Sequence, residues 1–164
     1  MKKEEIYVVL NDIRSIHNVG SIFRTADAAG VSKIFLTGYT PTPLDRFGRP
    51  RKDLAKVALG AEKSVPWEYE KSTQAIIKKI KKAGVFVVAI EQSPRSVHYK
   101  KIALDLKNHD ISHVAFVYGN EVDGISPDIL NECDAVAEIP MAGKKESLNV
   151  SVSAGITLFG MLDR

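Results

Sequence analysis

Five short runs rich in β-branched and aromatic residues, separated by stretches with helical periodicity, constrain the fold of this chain most strongly. Helical patterns fit between these runs at roughly 18–30, 53–60, 72–83 and 127–133, with a last one at 149–162. Several runs are apolar at consecutive positions, which is typical of parallel strands covered by helices on both faces. The sequence therefore predicts one α/β domain over residues 1–164 with a mostly parallel sheet. The five runs are IYVVL (6–10), KIFLTG (33–38), VFVVAI (85–90), HVAFVYG (113–119) and AVAEIP (135–140).

Composition excludes several classes of protein. The longest apolar run, residues 85–90, is far shorter than the roughly 20 residues of a membrane-spanning helix. The N-terminus, MKKEEIYVVLND, lacks the apolar core of a signal peptide, and the single cysteine cannot form an internal disulfide. His109 and His113 have no accompanying HExxH glutamate, so a metal site is not predicted. We therefore predict a cytoplasmic protein that binds neither membrane nor metal.

Positive charge is concentrated in one quarter of the chain. Residues 41–82 contain eleven Lys or Arg against five Asp or Glu, a net charge of +6, whereas the whole chain carries +3. Lys78 to Lys82 fit the solvated face of an amphipathic helix, but the loop 38–52 also carries Tyr39 and Phe47 among its arginines. Aromatic rings interleaved with arginines suit unstacked bases and phosphates, although a plain surface loop is the alternative. The predicted RNA-contacting residues are Arg46, Arg49, Arg51 and Lys52.

Two glycine-bearing segments follow predicted strands at positions where ligands bind. In NDIRSIHNVGSIFRTADAAGV (11–31), Asn18 opens a helix and Arg24 follows within two turns, an arrangement that suits a phosphate or ribose. Asn18 as an ordinary N-cap and Arg24 as a surface residue are the alternative. In FVYGNEVDGIS (116–126), Gly119 permits close approach of a ligand, and Glu121 lies at the carboxyl end of a strand. Ordinary turn chemistry would also explain the polar residues there.

A third segment, IPMAGKKESLNVSVSAG (139–155), is polar although it lies between two apolar elements. Ser147 is a good helix cap, Asn149 begins the final helix, and small residues at 151 and 153–155 allow close packing. As a structural loop its polarity is unexplained, whereas a cofactor cradle built from backbone groups accounts for it.

These three segments, in this order, resemble the signature motifs of the SPOUT superfamily, specifically of TrmH-like RNA ribose 2′-O-methyltransferases. The matching residues are Asn18 with Arg24, then Gly119 to Gly124, then Ile139 to Ser151. The resemblance implies a C-terminal deep trefoil knot, an obligate homodimer, S-adenosylmethionine as the cofactor and tRNA or rRNA as the substrate. Larger relatives have a separate RNA-binding domain, which we do not expect in this chain.

The resemblance also implies roles for individual residues. Two sets are involved, one around the cofactor and one assembled at the dimer interface for catalysis and substrate binding. Because guanidinium stays protonated at neutral pH, a phosphate clamp suits Arg24 better than a general base, and Glu121 either accepts the proton or orients Arg24. The cofactor set is Ile90, Gly119, Ile139, Met141, Ser147 and Leu148; the catalytic set is Asn18, Arg24, Glu121, Ser147 and Asn149.

A protein of another class would share much of this pattern. An RNA-binding or ribosome-assembly factor could keep the knotted fold and lose turnover. The presence of all five catalytic positions favours the enzyme, because a pure RNA binder has no need of the complete set. A dinucleotide-binding oxidoreductase is disfavoured, since no GxGxxG follows a predicted strand.

Overall fold

The computed structural model describes residues 4–164 and confirms the α/β fold with a parallel sheet. The strands are β1 (Glu5–Asn11), β2 (Lys33–Thr37), β3 (Trp67–Glu70), β4 (Phe86–Ile90), β5 (Val97–His98), β6 (His113–Tyr118) and β7 (Ala135–Glu138). The helices are α1 (Ile16–Ala29), α2 (Lys52–Ala58), α3 (Ala61–Ser64), α4 (Thr73–Lys82), α5 (Tyr99–Asn108), α6 (Pro127–Glu132) and α7 (Val150–Leu162). The strands form a seven-stranded sheet in the order β3-β2-β1-β6-β4-β7-β5, and every neighbouring pair is parallel.

Alternate side chains of the strands pack into two separate apolar layers. In β1, Val8 belongs to the layer that α1, α2, α5 and α7 complete, whereas Val9 belongs to the layer completed by α4 and α6. In β6, Phe116 and Val117 divide between the same two layers. Helices therefore cover both faces, which is why these strands are apolar at consecutive positions.

The structure contains four elements that the sequence patterns did not predict. β3 has the sequence WEYE, whose two glutamates hide a strand signal, and β5 has only two residues. α3 is a single turn. In α5 the buried residues are Ile102 and Leu106, too few for a clear helical period among charged neighbours. All four are short or polar, so tertiary contacts rather than local sequence determine them.

Two predicted helix starts are wrong, and the capping side chains explain why. α1 begins at Ile16 because Ser15 accepts a hydrogen bond from the Asn18 backbone N–H, so Asn18 is neither the first helical residue nor the N-cap. α7 begins at Val150, and Asn149 is its cap through a bond from the Ser151 N–H, so Ser147 does not cap it. The prediction of Ser72 as the cap of α4 is confirmed.

The start of α6 agrees in part with the sequence pattern. Pro127 occupies the first turn of α6 as predicted, although Ser126 makes no capping side-chain hydrogen bond. Among residues 4–164, no helix has both the length and the apolar character required to cross a bilayer. The trefoil knot stays a prediction.

Candidate active site

A cavity of about 430 Å³ opens at the carboxyl ends of β4, β6 and β7. Its walls are the end of β4, the turn after β6, the polar segment between β7 and α7, and the first turns of α7. Ligands in open α/β sheets bind in the crevice beyond the carboxyl ends of the strands, so the cavity lies where the fold favours a ligand. Its volume falls within the roughly 300–1,000 Å³ of small-molecule sites.

The structure brings the predicted cofactor residues together around this cavity. They come from three separate parts of the chain, which meet only because β4, β6 and β7 are close neighbours in the sheet. The predicted residues that line the cavity are Ile90, Gly119, Ile139, Met141, Ser147 and Leu148. Of the polar side chains in residues 139–149, Ser147 and Asn149 line the cavity, whereas Lys144, Lys145 and Glu146 are exposed to solvent, so the cavity explains only part of the polarity.

The turn after β6 is built on two glycines, for different reasons. Gly124 has a φ of 66°, and Asn120 accepts a hydrogen bond of 3.0 Å from its backbone N–H. A Cβ at Gly119 would lie 2.6 Å from the Gly124 carbonyl carbon and 2.6 Å from Ile125 Cγ1. The opposite side of the turn therefore already requires glycine at position 119, and the close approach of a ligand there stays a prediction.

Asn120 holds this turn against the end of β1 and the loop after β2. Its side-chain oxygen accepts hydrogen bonds of 2.8 Å from the backbone N–H groups of Val122 and Asp123. Its amide nitrogen donates to the Asp12 carbonyl at 2.9 Å and to the Tyr39 hydroxyl at 2.7 Å. The residue is buried with all these bonds made, so turn chemistry explains Asn120.

Glu121 clamps the turn onto the start of α1. Its carboxylate accepts hydrogen bonds from the backbone N–H of Arg14 at 2.9 Å, from that of Ser15 at 3.0 Å, and from the Asn18 side chain at 3.0 Å. A negative charge at a helix N-terminus is stabilised by the unpaired N–H groups and the helix dipole. Glu121 therefore joins β6 to the first turn of α1.

These contacts set the protonation of Glu121. Burial is the largest single effect and raises its pKa, but the hydrogen bonds from Arg14, Asn18 and Ser15 together outweigh burial and hold the pKa below the ordinary value. A carboxylate whose pKa is lowered is a weaker proton acceptor. The geometry therefore favours a positioning role for Glu121 over that of general base.

A chain of side-chain hydrogen bonds extends from Glu121 to α7. Asn18 donates to Glu121 through its amide nitrogen, and its oxygen accepts from the Asn149 amide nitrogen at 3.2 Å. The Asn149 oxygen in turn accepts from the Ser151 backbone N–H at 2.8 Å and from the Ser151 hydroxyl at 2.6 Å. Because a carboxylate only accepts, the direction of the whole chain is fixed from Glu121 outward.

The other two predicted catalytic residues lie outside this chain of bonds. Ser147 is exposed and lines the cavity. Arg24 is exposed on α1, and within residues 4–164 it forms no hydrogen bond or ion pair with Glu121, Ser147 or Asn149. A single protomer thus joins Asn18, Glu121 and Asn149 by hydrogen bonds and places Ser147 and Asn149 on the cavity wall. In the part of the chain that the structure describes, Arg24 of the same protomer makes no hydrogen bond or ion pair with Glu121, Ser147 or Asn149.

Sequence reasoning missed Glu91, which supports the turn from the β4 side. Its carboxylate accepts a hydrogen bond of 3.0 Å from the Ile125 N–H and another of 2.8 Å from the Gln92 N–H. The Gln92 side chain then donates to the Glu146 carbonyl at 2.7 Å, which ties the β4 end to the polar segment. The available signal was its position, directly after a predicted strand that ends at the cavity.

The basic loop 38–52 has a defined shape built around Asp45. That side chain accepts hydrogen bonds from the backbone N–H groups of Phe47 and Arg49 and from the Arg49 guanidinium. The backbone N–H of Arg49 contributes most to holding the pKa of Asp45 below its ordinary value. The guanidinium carbons of Arg46 and Arg49 lie 4.7 and 4.8 Å from the centre of the exposed Phe47 ring.

The remaining two predicted RNA-contacting residues lie at the start of α2. Arg51 is the N-cap residue and is half-buried, whereas Lys52 begins the helix and is exposed. The loop therefore presents Arg46, Arg49 and Lys52 to solvent, with the charge of Arg49 partly compensated by Asp45.

Comparison with known proteins gives consistent matches over nearly the whole chain. A model described as the SpoU rRNA Methylase family matches residues 5–159. A 23S rRNA (guanosine-2'-O-)-methyltransferase RlmB of Neisseria meningitidis serogroup B is 32% identical over 96% of this chain, and the match covers 58% of that protein. The chain therefore spans little more than half the length of that relative.

Solved structures match in fold as well. An AdoMet-bound rRNA methyltransferase from Sinorhizobium meliloti superposes with a TM-score of 0.82 at 35% identity, over 97% of this chain and 56% of that one. A TrmH/SpoU tRNA modifying enzyme from A. aeolicus superposes with a TM-score of 0.81 at 27% identity, over 98% and 75%.

Proposed function

The chain belongs to the SpoU rRNA Methylase family, a TrmH-like group of SPOUT methyltransferases, and from this membership we propose that it methylates a ribose 2′-hydroxyl in tRNA or rRNA with S-adenosylmethionine as the methyl donor. The observation that carries the proposal is the cavity of about 430 Å³ whose walls contain all six expected cofactor residues. The names of the relatives specify RNA as the substrate, and the +6 charge of residues 41–82 is consistent with RNA.

The cavity fits the proposed cofactor in size and chemistry. It combines apolar walls from Ile90, Ile139 and Leu148 with backbone polar groups of a non-helical segment, which suits an adenosine moiety. When bound, the cofactor supplies an electrophilic methyl group for in-line displacement by a ribose oxygen. Residues 139–149 would hold the cofactor, and the turn after β6 would close the opposite side.

The polar chain orients the groups around the reacting ribose. Glu121 fixes the amide of Asn18, and Asn18 fixes the amide of Asn149, which is thereby a fixed hydrogen-bond donor on the cavity wall. Such fixed donors stabilise negative charge that develops on the attacking oxygen, without reorganisation during the reaction. Ser147 lines the same cavity and can hydrogen-bond the ribose.

Arg24 completes this site in a homodimer. The exposed face of α7 supports the dimer, because Val152 and Phe159 are 49% and 38% exposed on a helix that has no charged residue. Leu148 extends the same apolar strip beyond the helix start, next to the cavity. An apolar strip beside a ligand site suits a second copy of this chain, which would bring its own Arg24 to the cavity as a phosphate clamp.

The test is transfer of a tritiated methyl group from labelled cofactor to total RNA from cells that lack this protein. We expect the label to appear in RNA. The phosphodiester bond on the 3′ side of the labelled nucleotide should resist alkaline hydrolysis, because a 2′-O-methyl group removes the hydroxyl that attacks that bond. Cofactor binding measured by calorimetry is the control. Intact cofactor binding with no label in any RNA would instead indicate an RNA-binding factor that has lost turnover.

A further inference from the structure

Two exposed tyrosine rings lie at the carboxyl edge of the sheet, one in the basic loop 38–52 and one in the edge strand β3. Tyr39 follows β2 and is 60% exposed, and Tyr69 lies in β3 and is 49% exposed. They are neighbours, because the Tyr69 hydroxyl donates a hydrogen bond of 2.9 Å to the carbonyl of Gly38. Two exposed rings tied to the same stretch of backbone can form one surface, unlike apolar side chains scattered singly.

Both rings are anchored by their polar tips. The Tyr39 hydroxyl accepts a hydrogen bond of 2.7 Å from the Asn120 amide, and its backbone N–H donates to Asp12 at 3.1 Å. The Tyr69 hydroxyl is held by Gly38. Each ring is thus held at its hydroxyl while about half or more of the residue stays exposed to solvent. A ligand that packs on such rings orders few side chains on binding, which lowers the entropic cost of association.

The position of Tyr39 links this surface to the reaction. Asn120 lines the cofactor cavity, so the Tyr39 ring lies one side chain away from the cavity wall. The residues beyond it, 41–82, carry a net charge of +6, and the guanidinium groups of Arg46 and Arg49 lie in the loop that Tyr39 begins. A ligand at this edge therefore meets exposed aromatic rings and the arginines of the loop that continues from Tyr39, whereas Tyr69 itself lies between Glu68 and Glu70.

We propose that Tyr39 and Tyr69 form a platform on which unpaired bases of the RNA stack beside the cofactor cavity. Stacking on an aromatic ring accepts any base, since every base has a π-face, and the surrounding cations bind the phosphates. The platform selects single-stranded RNA over a duplex, whose bases are already stacked. This inference rests on the proposed function and adds the structural state of its substrate.

The test compares binding of a labelled single-stranded RNA of about 12 nucleotides with that of a duplex of the same sequence, by fluorescence anisotropy in the presence of S-adenosylhomocysteine. Tyr39→Leu and Tyr69→Leu should each weaken single-strand binding about 5- to 150-fold, the range measured for loss of one stacked base. Tyr39→Phe keeps the ring and should stay within about twofold of the wild type. Duplex binding should not change in any variant.

The salt dependence separates stacking from charge. The tyrosine variants should keep the wild-type slope of log affinity against log salt, whereas an Arg46→Glu, Arg49→Glu double variant should flatten that slope. Wild-type affinity in Tyr39→Leu and Tyr69→Leu would overturn the platform. So would loss of binding in Tyr39→Phe equal to that in Tyr39→Leu, which would assign the effect to the hydroxyl, or a changed oligomeric state in light scattering, which would assign the rings to a dimer contact.

The outcome is independent of methyl transfer. A wild-type protein that binds single strands through these rings but transfers no methyl group would keep the platform and refute the proposed enzyme activity. Methyl transfer with unaltered single-strand affinity in both leucine variants would refute the platform alone. A wild-type protein that does not bind single-stranded RNA would also refute it. Unchanged S-adenosylhomocysteine affinity in each variant verifies that the fold is intact.

Discussion

Glu121 shows how a single residue combines a sequence motif with a structural task. The motif marks it as a catalytic candidate, and the structure gives its carboxylate three hydrogen bonds at the start of α1. Those bonds both position Asn18 and lower the pKa of the carboxyl group. A carboxylate that already accepts three hydrogen bonds is suited to orienting its neighbours, so we favour a positioning role for Glu121 over that of proton acceptor in the proposed reaction.

The lowered pKa of Glu121 predicts a pH-dependent contribution to stability. Because the folded-state pKa lies below the unfolded one, the carboxylate stabilises the fold above its ordinary pKa of about 4.3, and this contribution is lost as the pH falls through the folded-state value. Glu121→Gln should therefore unfold at a lower urea concentration than the wild type at pH 7.

The difference between the two proteins should shrink at about pH 3, below that ordinary value. Urea midpoints measured by circular dichroism at both pH values check this. A matched control is Glu146→Gln, which alters an exposed glutamate of the polar segment. Equal midpoints for Glu121→Gln and the wild type at pH 7 would show that the clamp contributes nothing to stability.

The turn after β6 is the element on which the cavity most depends. Gly119 and Gly124 face each other so closely that a methyl group at position 119 overlaps the backbone across the turn. Glu91, at the end of β4, holds the same turn by accepting a hydrogen bond from the Ile125 N–H. The turn is therefore rigid for reasons internal to the protein, which prepares one wall of the cavity before any ligand binds.

Gly119→Ala should destabilise the protein by about 2 kcal/mol, because the Cβ would lie 2.6 Å from the Gly124 carbonyl carbon and oxygen, and backbone atoms relieve such an overlap at greater cost than the end of a flexible side chain. It should also reduce cofactor affinity, since the cavity wall must shift. Gly143→Ala is the matched control in the facing segment, where an added Cβ meets no atom within 4 Å. We expect that control to change stability by less than about 0.5 kcal/mol in thermal unfolding. A Gly119→Ala protein as stable as the control would show that the turn adapts.

Sequence reasoning recovered the elements that carry strong local patterns and failed where tertiary contacts decide. The five apolar runs became β1, β2, β4, β6 and β7, because each is buried on both faces. β5 exists only through its pairing with β7, with Val97 opposite Ala137, and no local pattern marks it. The starts of α1 and α7, which Ser15 and Asn149 cap, differ from the predicted starts because several residues in each segment could serve as caps.

The candidate site shows the same division. The motif residues around the cavity were identified from sequence because their types and order are distinctive. Contacts that depend on three-dimensional proximity, such as the one between Asn18 and Asn149, 131 positions apart, could not be read from spacing. Glu91 and the Tyr39 contact with Asn120 were missed for the same reason.

At the scale of the whole molecule, the proposed homodimer would give Arg24 its place in the site. Arg24 is exposed and, within residues 4–164, makes no hydrogen bond with Asn18, Glu121 or Asn149 of its own protomer. The exposed apolar strip on α7 is a surface that a second copy could cover. The trefoil knot, which the resemblance implies, would hold the cavity segment in place from the opposite side. The homodimer and the knot are properties of the assembled molecule and not of any single contact.

The proposed homodimer predicts complementation between two impaired variants. Arg24→Ala should lose at least about 100-fold in methyl transfer because the target ribose is no longer held in line, with cofactor affinity nearly unchanged. Glu121→Gln should also be impaired. When the two are co-expressed with different affinity tags and purified through both tags, the mixed dimer contains one site with an intact Arg24 and an intact Glu121, so about half of the wild-type activity should return.

An inactive mixed dimer would place Arg24 and the Glu121 cluster of the same chain in one site. The separately tagged wild-type pair, purified in the same way, gives the reference activity, and an Arg24→Ala pair gives the background.

The most direct test of the account is a crystal structure of the protein with S-adenosylhomocysteine. We expect density for the ligand between the turn of Gly119 and the segment that contains Met141 and Leu148, with its sulfur directed toward the side of the cavity where Asn149 meets Asn18. A ligand bound at another surface, or a cavity that stays empty at saturating ligand, would contradict it.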